Sequence, residues 1–231
     1  MANSRFQKFK QETMENSVYT QSETSRMAFI KKVYAYFGLS ILVAFIGAVL
    51  SIKTPIGETV YVNNFLFIIL EFASLIALFF LRKVEPINKV LLFTFTFLFG
   101  LTLGPLLAQY ISMGSGDLVI QAFALTAIAF GGLTAYAWTT KKDFSYLSGF
   151  IYIGVFLLIG AFVVNMFINV AIMSTIISMF GVVLFSMFIL YDTQNIMKRY
   201  SEDEYVMGAI SLFLDFANLF LFILSLLSND R

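Results

Sequence analysis

Three acidic residues, Glu71, Asp192 and Asp215, stand inside or at the margin of long apolar runs of this chain. An ionisable side chain in a membrane-spanning helix costs several kcal/mol unless it is paired or hydrated, so each is a candidate for function. Asp215 is the clearest case, because it lies roughly 15 Å along the helix predicted over residues 205–227. The alternative is a structural role, in which Asp215 hydrogen-bonds this helix to its neighbours.

A polar stripe is predicted around Asp215 on the same helix. Ser211 lies four residues before it and Asn218 lies three residues after it, so the three side chains share one face. Asp192 lies near the end of the preceding apolar run, and a tight hairpin joins the two runs. Both carboxyl groups are therefore expected in the same half of the membrane, where they can pair. The alternative for Asp192 is a solvated residue that marks the end of its helix.

Arg82 and Glu71 are eleven residues apart in one apolar run, a spacing that places both on one face of a helix. Arg82 is expected at the depth of Asp192, where it can act as a latch on the acid. The alternative for Arg82 is an anchor at the membrane interface whose charged head reaches water. Glu71 lies deeper, and we expect it to line a pathway through the membrane.

These groups predict a pH-sensitive switch in a chain that contains no His. Two close carboxyl groups cannot both ionise at low cost, so Asp192 and Asp215 would share a proton and titrate as a unit. An arginine beside Asp192 favours the ionised form, so proton binding and pairing with Arg82 compete for the same acid. When ionised, both carboxylates offer oxygen ligands to a hard cation and are candidate metal ligands for transient binding of Ca²⁺.

The composition indicates an integral membrane protein, whose principal partner is the lipid bilayer. Hydrophobic residues make up 59% and charged residues 13% of the chain, whereas soluble domains carry about 25% charged residues. The absence of Cys and His excludes disulfides, iron–sulfur clusters, cysteine nucleophiles and imidazole metal sites. The net charge of +1 gives no indication of nucleic-acid binding. The chain contains no phosphate-binding glycine loop, so we do not expect an ATP-driven pump. We expect neither an enzyme nor a resident cofactor.

Seven apolar runs are long enough for spanning helices of about 20 residues, and none alternates in polarity as barrel strands do. The runs cover residues 33–51, 63–81, 87–111, 118–139, 145–168, 171–196 and 205–227. The polar residues 1–32 lack the apolar stretch of a secretory signal and are predicted to be a retained cytosolic tail. Residues 33–231 are predicted to form one all-α transmembrane domain of seven helices.

The positions of Lys and Arg predict the orientation of these helices. Apart from Lys53 and Arg231, every basic residue lies in the tail or near the joints after the second, fourth and sixth runs. Because cytoplasmic segments carry the excess of basic residues, the N-terminus is expected in the cytosol and the C-terminus outside.

Two strings in the chain match those of intramembrane aspartyl proteases, Tyr191-Asp192 and the GSGD stretch that ends at Asp117. The predicted topology puts Asp117 and Asp192 on opposite sides of the membrane, so they cannot form a catalytic pair. The GSGD stretch is predicted to be a glycine turn.

Five segments together resemble the transmembrane Bax inhibitor motif family. They are EFASLIALFFLRK (71–83), FGLTLGPLL (99–107), GLTAYAWTTKKDFSYL (132–147), MFILYDTQNIM (187–197) and ISLFLDFANLFLFIL (210–224). The resemblance implies a bundle of seven helices in which the other six surround the seventh. It also implies a pH-sensitive Ca²⁺ leak channel, with Asp192 and Asp215 as the sensor, Arg82 as the latch and Glu71 in the pathway. Compact loops and the lack of Cys favour a bacterial member in the inner membrane.

The leading functional prediction is a passive cation pathway, with Ca²⁺ and protons as partners, gated by the Asp pair. One alternative is a non-conducting regulator that binds other membrane proteins or a membrane protease, for which the N-terminal tail would be essential. A proton-coupled cation exchanger is the other alternative, and it would require alternating access, which broken helices and inverted repeats often provide.

Overall fold

The computed structural model describes residues 23–168 and 171–229. Their elements are all helical, as the sequence predicted. The helices are α1 (Glu23–Lys53), α2 (Ile56–Val62), α3 (Asn64–Phe80), α4 (Ile87–Ser112), α5 (Gly116–Thr139), α6 (Leu147–Ile168), α7 (Ala171–Lys198) and α8 (Tyr205–Asn229), with a 3₁₀ turn at Glu202–Glu204 before α8. The short joints carry residues that end helices; between α4 and α5, Gly114 adopts a φ of 75°, which favours glycine.

Six of these helices are long and apolar enough to cross a membrane. A further candidate crossing is the pair α2 and α3, which are bent by 91° relative to each other at a short break. Fully apolar outer faces are expected where helices meet lipid, and Phe65 and Phe80 of α3 are 77% and 84% exposed. The chain is therefore a multi-pass membrane protein with six or seven crossings among the described residues.

The second predicted run, residues 63–81, agrees with α3 to within one residue at each end. The apolar sequence continues upstream of residue 63 into α2, and the chain turns sharply between α2 and α3. Helix α3 ends at Phe80, so Arg82 lies in the turn that precedes Pro86. A residue that precedes a proline disfavours the helical conformation. The side chain of Asn88 also donates a hydrogen bond of 2.8 Å to the carbonyl of Arg82 in this turn. The prediction that Glu71 and Arg82 share a face of one helix is therefore wrong.

The first helix begins at Glu23, well before Val33, where the sequence placed the boundary between tail and membrane domain. Residues 23–32 are therefore part of the first helix rather than of a separate tail. Phe29 and Ile30 are buried with Val33 in the core of the bundle. Residues 1–22, the remainder of the predicted tail, lie outside the described residues.

Helix α8 occupies the centre of the bundle, and 16 of its 25 residues are buried. It packs against α1, α4, α5 and α7, and the ring of Phe222 also lies 6.2 Å from that of Phe162 in α6. The peripheral helix α3 packs against α4. The expected central position of the last helix is thus observed, with α3 in an outer layer.

Helices α1 and α4 pack so closely that their backbones are in contact. A Cβ placed on Gly100 would lie 2.0 Å from the carbonyl oxygen of Ala44, and one on Gly104 would lie 2.3 Å from Cβ of Ser51. Only glycine fits at such distances, and small residues spaced four apart are a common device for close packing in membranes.

Candidate functional site

Asp215 lies in the middle of α8 and is only 3% exposed. No described residue donates a hydrogen bond to its Oδ2 atom, although this atom is buried. Buried polar atoms in proteins nearly always have partners, so an orphaned carboxylate oxygen marks a group that needs a proton, water or a cation. Asp215 follows Tyr205, where α8 begins, by ten residues, which agrees with its predicted position along the helix.

Asp192 lies in α7, one helix before Asp215, and is half-buried. Its Oδ1 accepts a hydrogen bond of 3.4 Å from the side-chain amide of Asn195, one turn further along the helix. The carboxyl groups of Asp192 and Asp215 interact electrostatically. The structure thus places the two acids close enough for the charge of Asp192 to affect Asp215.

Tyr200, a residue that sequence reasoning missed, lies in the joint between α7 and α8. Its hydroxyl is 3.5 Å from the hydroxyl of Ser211. Burial and the nearby charge of Asp192 raise the pKa of Tyr200 to about 12. The phenol therefore stays protonated at neutral pH and serves as a neutral hydrogen-bonding group beside the acids. Its position directly after the helix that carries Asp192 was the available signal.

The stripe on α8 extends further than the sequence suggested. Asn218 donates a hydrogen bond of 2.7 Å to the carbonyl of Leu214, which leaves its side-chain oxygen available to other partners. Two turns further on, Ser225 lies 2.7 Å from the hydroxyl of Ser178 in α7. Polar groups therefore recur along α8 on both sides of Asp215.

Glu71 is held at the interface of α3 and α4. Its Oε2 accepts a hydrogen bond of 2.9 Å from the hydroxyl of Thr102. The bond joins the peripheral helix α3 to α4 of the bundle. Glu71 therefore contacts α4 from α3, whereas Asp192 and Asp215 lie in α7 and α8.

Arg82 lies in the turn between α3 and α4, and its guanidinium is 3.9 Å from the carboxylate of Glu204. Glu204 in turn accepts hydrogen bonds from the backbone and hydroxyl of Ser201, beside Tyr200. The described ion pair of Arg82 is therefore with the α7–α8 joint, next to the acids, rather than with Asp192 or Asp215 themselves. The sequence analysis did not single out Glu204.

Further contacts connect the turn after α3 with the turn before α8. The ammonium of Lys83 lies 2.9 Å from the carboxylate of Asp203. The hydroxyl of Tyr205 donates a hydrogen bond to Glu85, and the ammonium of Lys32 lies 3.5 Å from the centre of the Tyr205 ring. The start of α1, the turn before α4 and the start of α8 consequently meet at one end of the bundle.

Gln194 fixes the end of α7 to the joint between α5 and α6. Its side-chain oxygen accepts a bond of 2.6 Å from the backbone of Phe144, and its nitrogen donates one of 2.8 Å to the carbonyl of Lys142. This joint therefore lies at the end of the bundle where Asp192 is found. Asp117 begins the 24-residue helix that leads to this joint, about 36 Å away along the axis. Asp117 and Asp192 lie at opposite ends, as expected.

Within residues 23–168 and 171–229, no cluster of three or more Asp, Glu, His or Cys side chains has the geometry to hold a metal. Ca²⁺ takes six to eight oxygen ligands, so two carboxylates would leave most of its coordination to water and other oxygens. Two carboxylates are therefore better suited to transient binding of an ion than to tight binding.

Fold and site together define an all-helical, multi-pass membrane protein with a buried carboxylate in its central helix. The family model described as "Inhibitor of apoptosis-promoting Bax1" matches residues 26–231, and the chain belongs to this Bax inhibitor family. An uncharacterized protein of Campylobacter jejuni is 40% identical over 204 residues, 87% of this chain and 88% of that protein.

Two further relatives extend over nearly the whole chain. The Schizosaccharomyces pombe protein named Bax inhibitor 1 is 34% identical over 219 residues, 91% of this chain and 81% of its own length. An uncharacterized membrane protein of Vibrio cholerae is 33% identical over 220 residues, 93% of this chain and 94% of its own length. The family resemblance read from the sequence motifs is confirmed.

Proposed function

We propose that this protein is a pH-sensitive passive pathway for cations, with Ca²⁺ as the permeant substrate. The observation that carries the proposal is the buried Oδ2 of Asp215 in the central helix, which has no hydrogen-bond partner among the described residues. The charge of Asp192 also acts on Asp215. A carboxylate in that position is stable only when a proton or cation neutralises it or water reaches it. Exchange between these states would couple ion passage to pH.

In this proposal Asp192 and Asp215 form the sensor and contact the passing ion. Arg82 acts through Glu204, whose ion pair ties the turn after α3 to the joint beside Asp192. Ser211 and Asn218 continue the polar stripe on either side of Asp215, and Glu71 lines the pathway where α3 meets α4. No resident cofactor and no enzymatic step are part of the proposal.

We further propose seven crossings, with the N-terminus in the cytosol and the C-terminus outside. The bent pair α2 and α3 would complete one crossing, since the turn after α3 returns to the end of the bundle where α1 begins. Helix α3 has 17 residues, or about 26 Å, close to the ~30 Å thickness of a bilayer core. The basic residues at that end favour the cytosolic side, and the bacterial relatives favour the inner membrane as the location.

Flux of radiolabelled calcium into proteoliposomes, measured from about pH 5 to about pH 8, tests the proposed function. The wild type should conduct with a clear pH dependence, and Asp215→Asn should flatten it because a neutral amide cannot titrate. Asp117→Asn, the same chemical change at the far end of α5, serves as the control and should keep the wild-type profile. Flux no greater than that of empty liposomes at every pH would overturn the proposal.

A second candidate is a non-conducting regulator that binds other membrane proteins or a membrane protease. The name of the Schizosaccharomyces pombe relative, Bax inhibitor 1, favours it. A proton-coupled exchanger remains a third possibility, and it predicts that an imposed proton gradient drives calcium uphill. Loss of cellular function on removal of residues 1–22, with Asp192 and Asp215 replaceable, would favour the regulator.

A further inference from the structure

A cavity of about 560 Å³ lies between α4, α6, α7 and α8. Its wall combines apolar side chains with amides and hydroxyls from all four helices. The polar lining residues are Tyr110, Asn165, Ser174, Ser178, Asn218 and Ser225. The cavity is many times larger than the ~30 Å³ that one water molecule occupies in the liquid.

Part of the polar lining is unsatisfied by protein. The amide nitrogen of Asn165 donates a bond of 3.3 Å to the hydroxyl of Ser174, but no described residue donates to its buried oxygen. In hydrocarbon such an acceptor is costly, whereas a polar and roomy site favours water. A cavity filled by lipid chains would gain nothing from these groups.

The cavity begins at the end of the bundle opposite Asp192. Tyr110 is close to the end of α4 at Ser112, and Asn165 is close to the end of α6 at Ile168. The deepest polar group is Asn218, eleven residues before the end of α8 at Asn229, or about 16 Å along the axis. Asn218 is one turn from Asp215, so the cavity leads from that end to the neighbourhood of the buried acid.

We infer that this cavity is a water-filled vestibule that brings hydrated cations to Asp215 from the face of the membrane opposite Asp192. The inference rests on the proposed function for the identity of the solute, although the entry of water does not. None of the residues described as lining it is charged. Neutral hydroxyl and amide oxygens can replace part of a hydration shell without holding the ion, so Asp215 is the first charge that an entering cation meets.

The chain contains no Cys, so an introduced cysteine is the sole thiol and can be probed in the intact protein. A membrane-impermeant cationic methanethiosulfonate, added to one side of sealed vesicles, should modify Ser178→Cys and Ser225→Cys. Thr54→Cys, in the joint after α1, and Lys141→Cys, in the joint after α5, report which side each end faces. The vestibule variants should react from the side of Thr54→Cys. Val163→Cys, on the outer face of α6, is the lipid-facing control and should not react.

Unreactive vestibule thiols in the bilayer would overturn the inference, provided that the same thiols react fully in denaturing detergent. Reaction from the side of Lys141→Cys alone would overturn it as well. The labelling needs no ion flux, so the two proposals fail separately. Labelled thiols without calcium flux would support the vestibule and contradict the channel. Flux with unlabelled thiols would contradict the vestibule.

Discussion

The guanidinium of Arg82 lies 3.9 Å from the carboxylate of Glu204, which joins the turn after α3 to the turn before α8. The parallel contacts of Lys83 with Asp203 and of Tyr205 with Glu85 hold the same turns together. A displacement of α3 or α4 at this end would therefore pull on the hairpin that carries Asp192.

Arg82→Gln should shift the pH midpoint of calcium flux while it changes stability little. The Arg82 side chain is 47% exposed, and exposed ion pairs contribute about 0–1 kcal/mol, so the thermal unfolding midpoint should move by only a few degrees. Lys53→Gln removes an exposed basic side chain at the end of α1, away from these turns, and is the control, with an expected wild-type midpoint of flux. Identical pH profiles for Arg82→Gln and wild type would remove Arg82 from the gating machinery.

Gly100→Ala should destabilise the protein, because its new Cβ would meet the carbonyl oxygen of Ala44 at 2.0 Å. Overpacking of this kind costs about 1–3 kcal/mol, and thermal unfolding in detergent measures it. The control is Gly131→Ala in α5, where an added Cβ meets no atom within 4 Å. That variant should be neutral or more stable by about 0.5–1 kcal/mol, as in an open helix position. Equal unfolding temperatures for the two variants would show that α1 and α4 are not in backbone contact.

Thr102→Val should weaken the attachment of α3 to α4, because it removes the 2.9 Å hydrogen bond to Glu71 and leaves the carboxyl group without this donor. The expected loss is about 1–2 kcal/mol in the free energy of unfolding. Thr94→Val makes the same change at an exposed position of the same helix and should have little effect. If Thr102→Val matched Thr94→Val in denaturant titrations, the bond would carry no stability.

Tyr205→Phe should change how stability depends on pH on the acid side. The hydrogen bond from the Tyr205 hydroxyl, with that from Lys89, holds the pKa of Glu85 below its ordinary value. A carboxyl group whose pKa is lower in the folded state stabilises the protein above its unfolded pKa, and this contribution is lost as pH falls through the folded pKa. Removal of the hydroxyl should therefore make the fall in stability at acid pH shallower.

Unfolding temperatures recorded from about pH 3 to about pH 7 bracket the ordinary Glu pKa near 4.3 and check this expectation. Tyr146→Phe, which removes an exposed hydroxyl at the same end of the bundle, is the control. A slope in Tyr205→Phe as steep as that of the control would mean that the bond to Glu85 does not contribute.

The buried acids were predictable from sequence because a carboxylate among apolar residues stands out against its surroundings. Asp215, Ser211 and Asn218 also share a helical face that spacing alone defines. The break between α2 and α3 was not predictable in the same way, since apolar character continues across it and hydropathy records no backbone direction. The ion pair of Arg82 with Glu204 was equally hidden, because it joins two polar turns far apart in the chain.

The start of α1 at Glu23 illustrates a different limit. Arg26, Lys31 and Lys32 lower the average hydropathy of that segment, although Phe29 and Ile30 form a buried face between them. A boundary set by mean hydropathy therefore falls too late wherever a helix emerges from the membrane with charges on one side.

The glycine seam between α1 and α4 also restricts which parts of the protein can move. At Gly100 the backbone of α4 meets the backbone of α1, and at Gly104 it meets the side chain of Ser51. Neither helix can therefore slide or rotate past the other without a steric clash, so the pair behaves as one stiff plate. Helix α3 rests on that plate, and α6 rests on α7 at the other side. In the proposed pathway, we therefore expect any opening movement in these outer helices or in the α7–α8 hairpin, with the plate as the fixed frame.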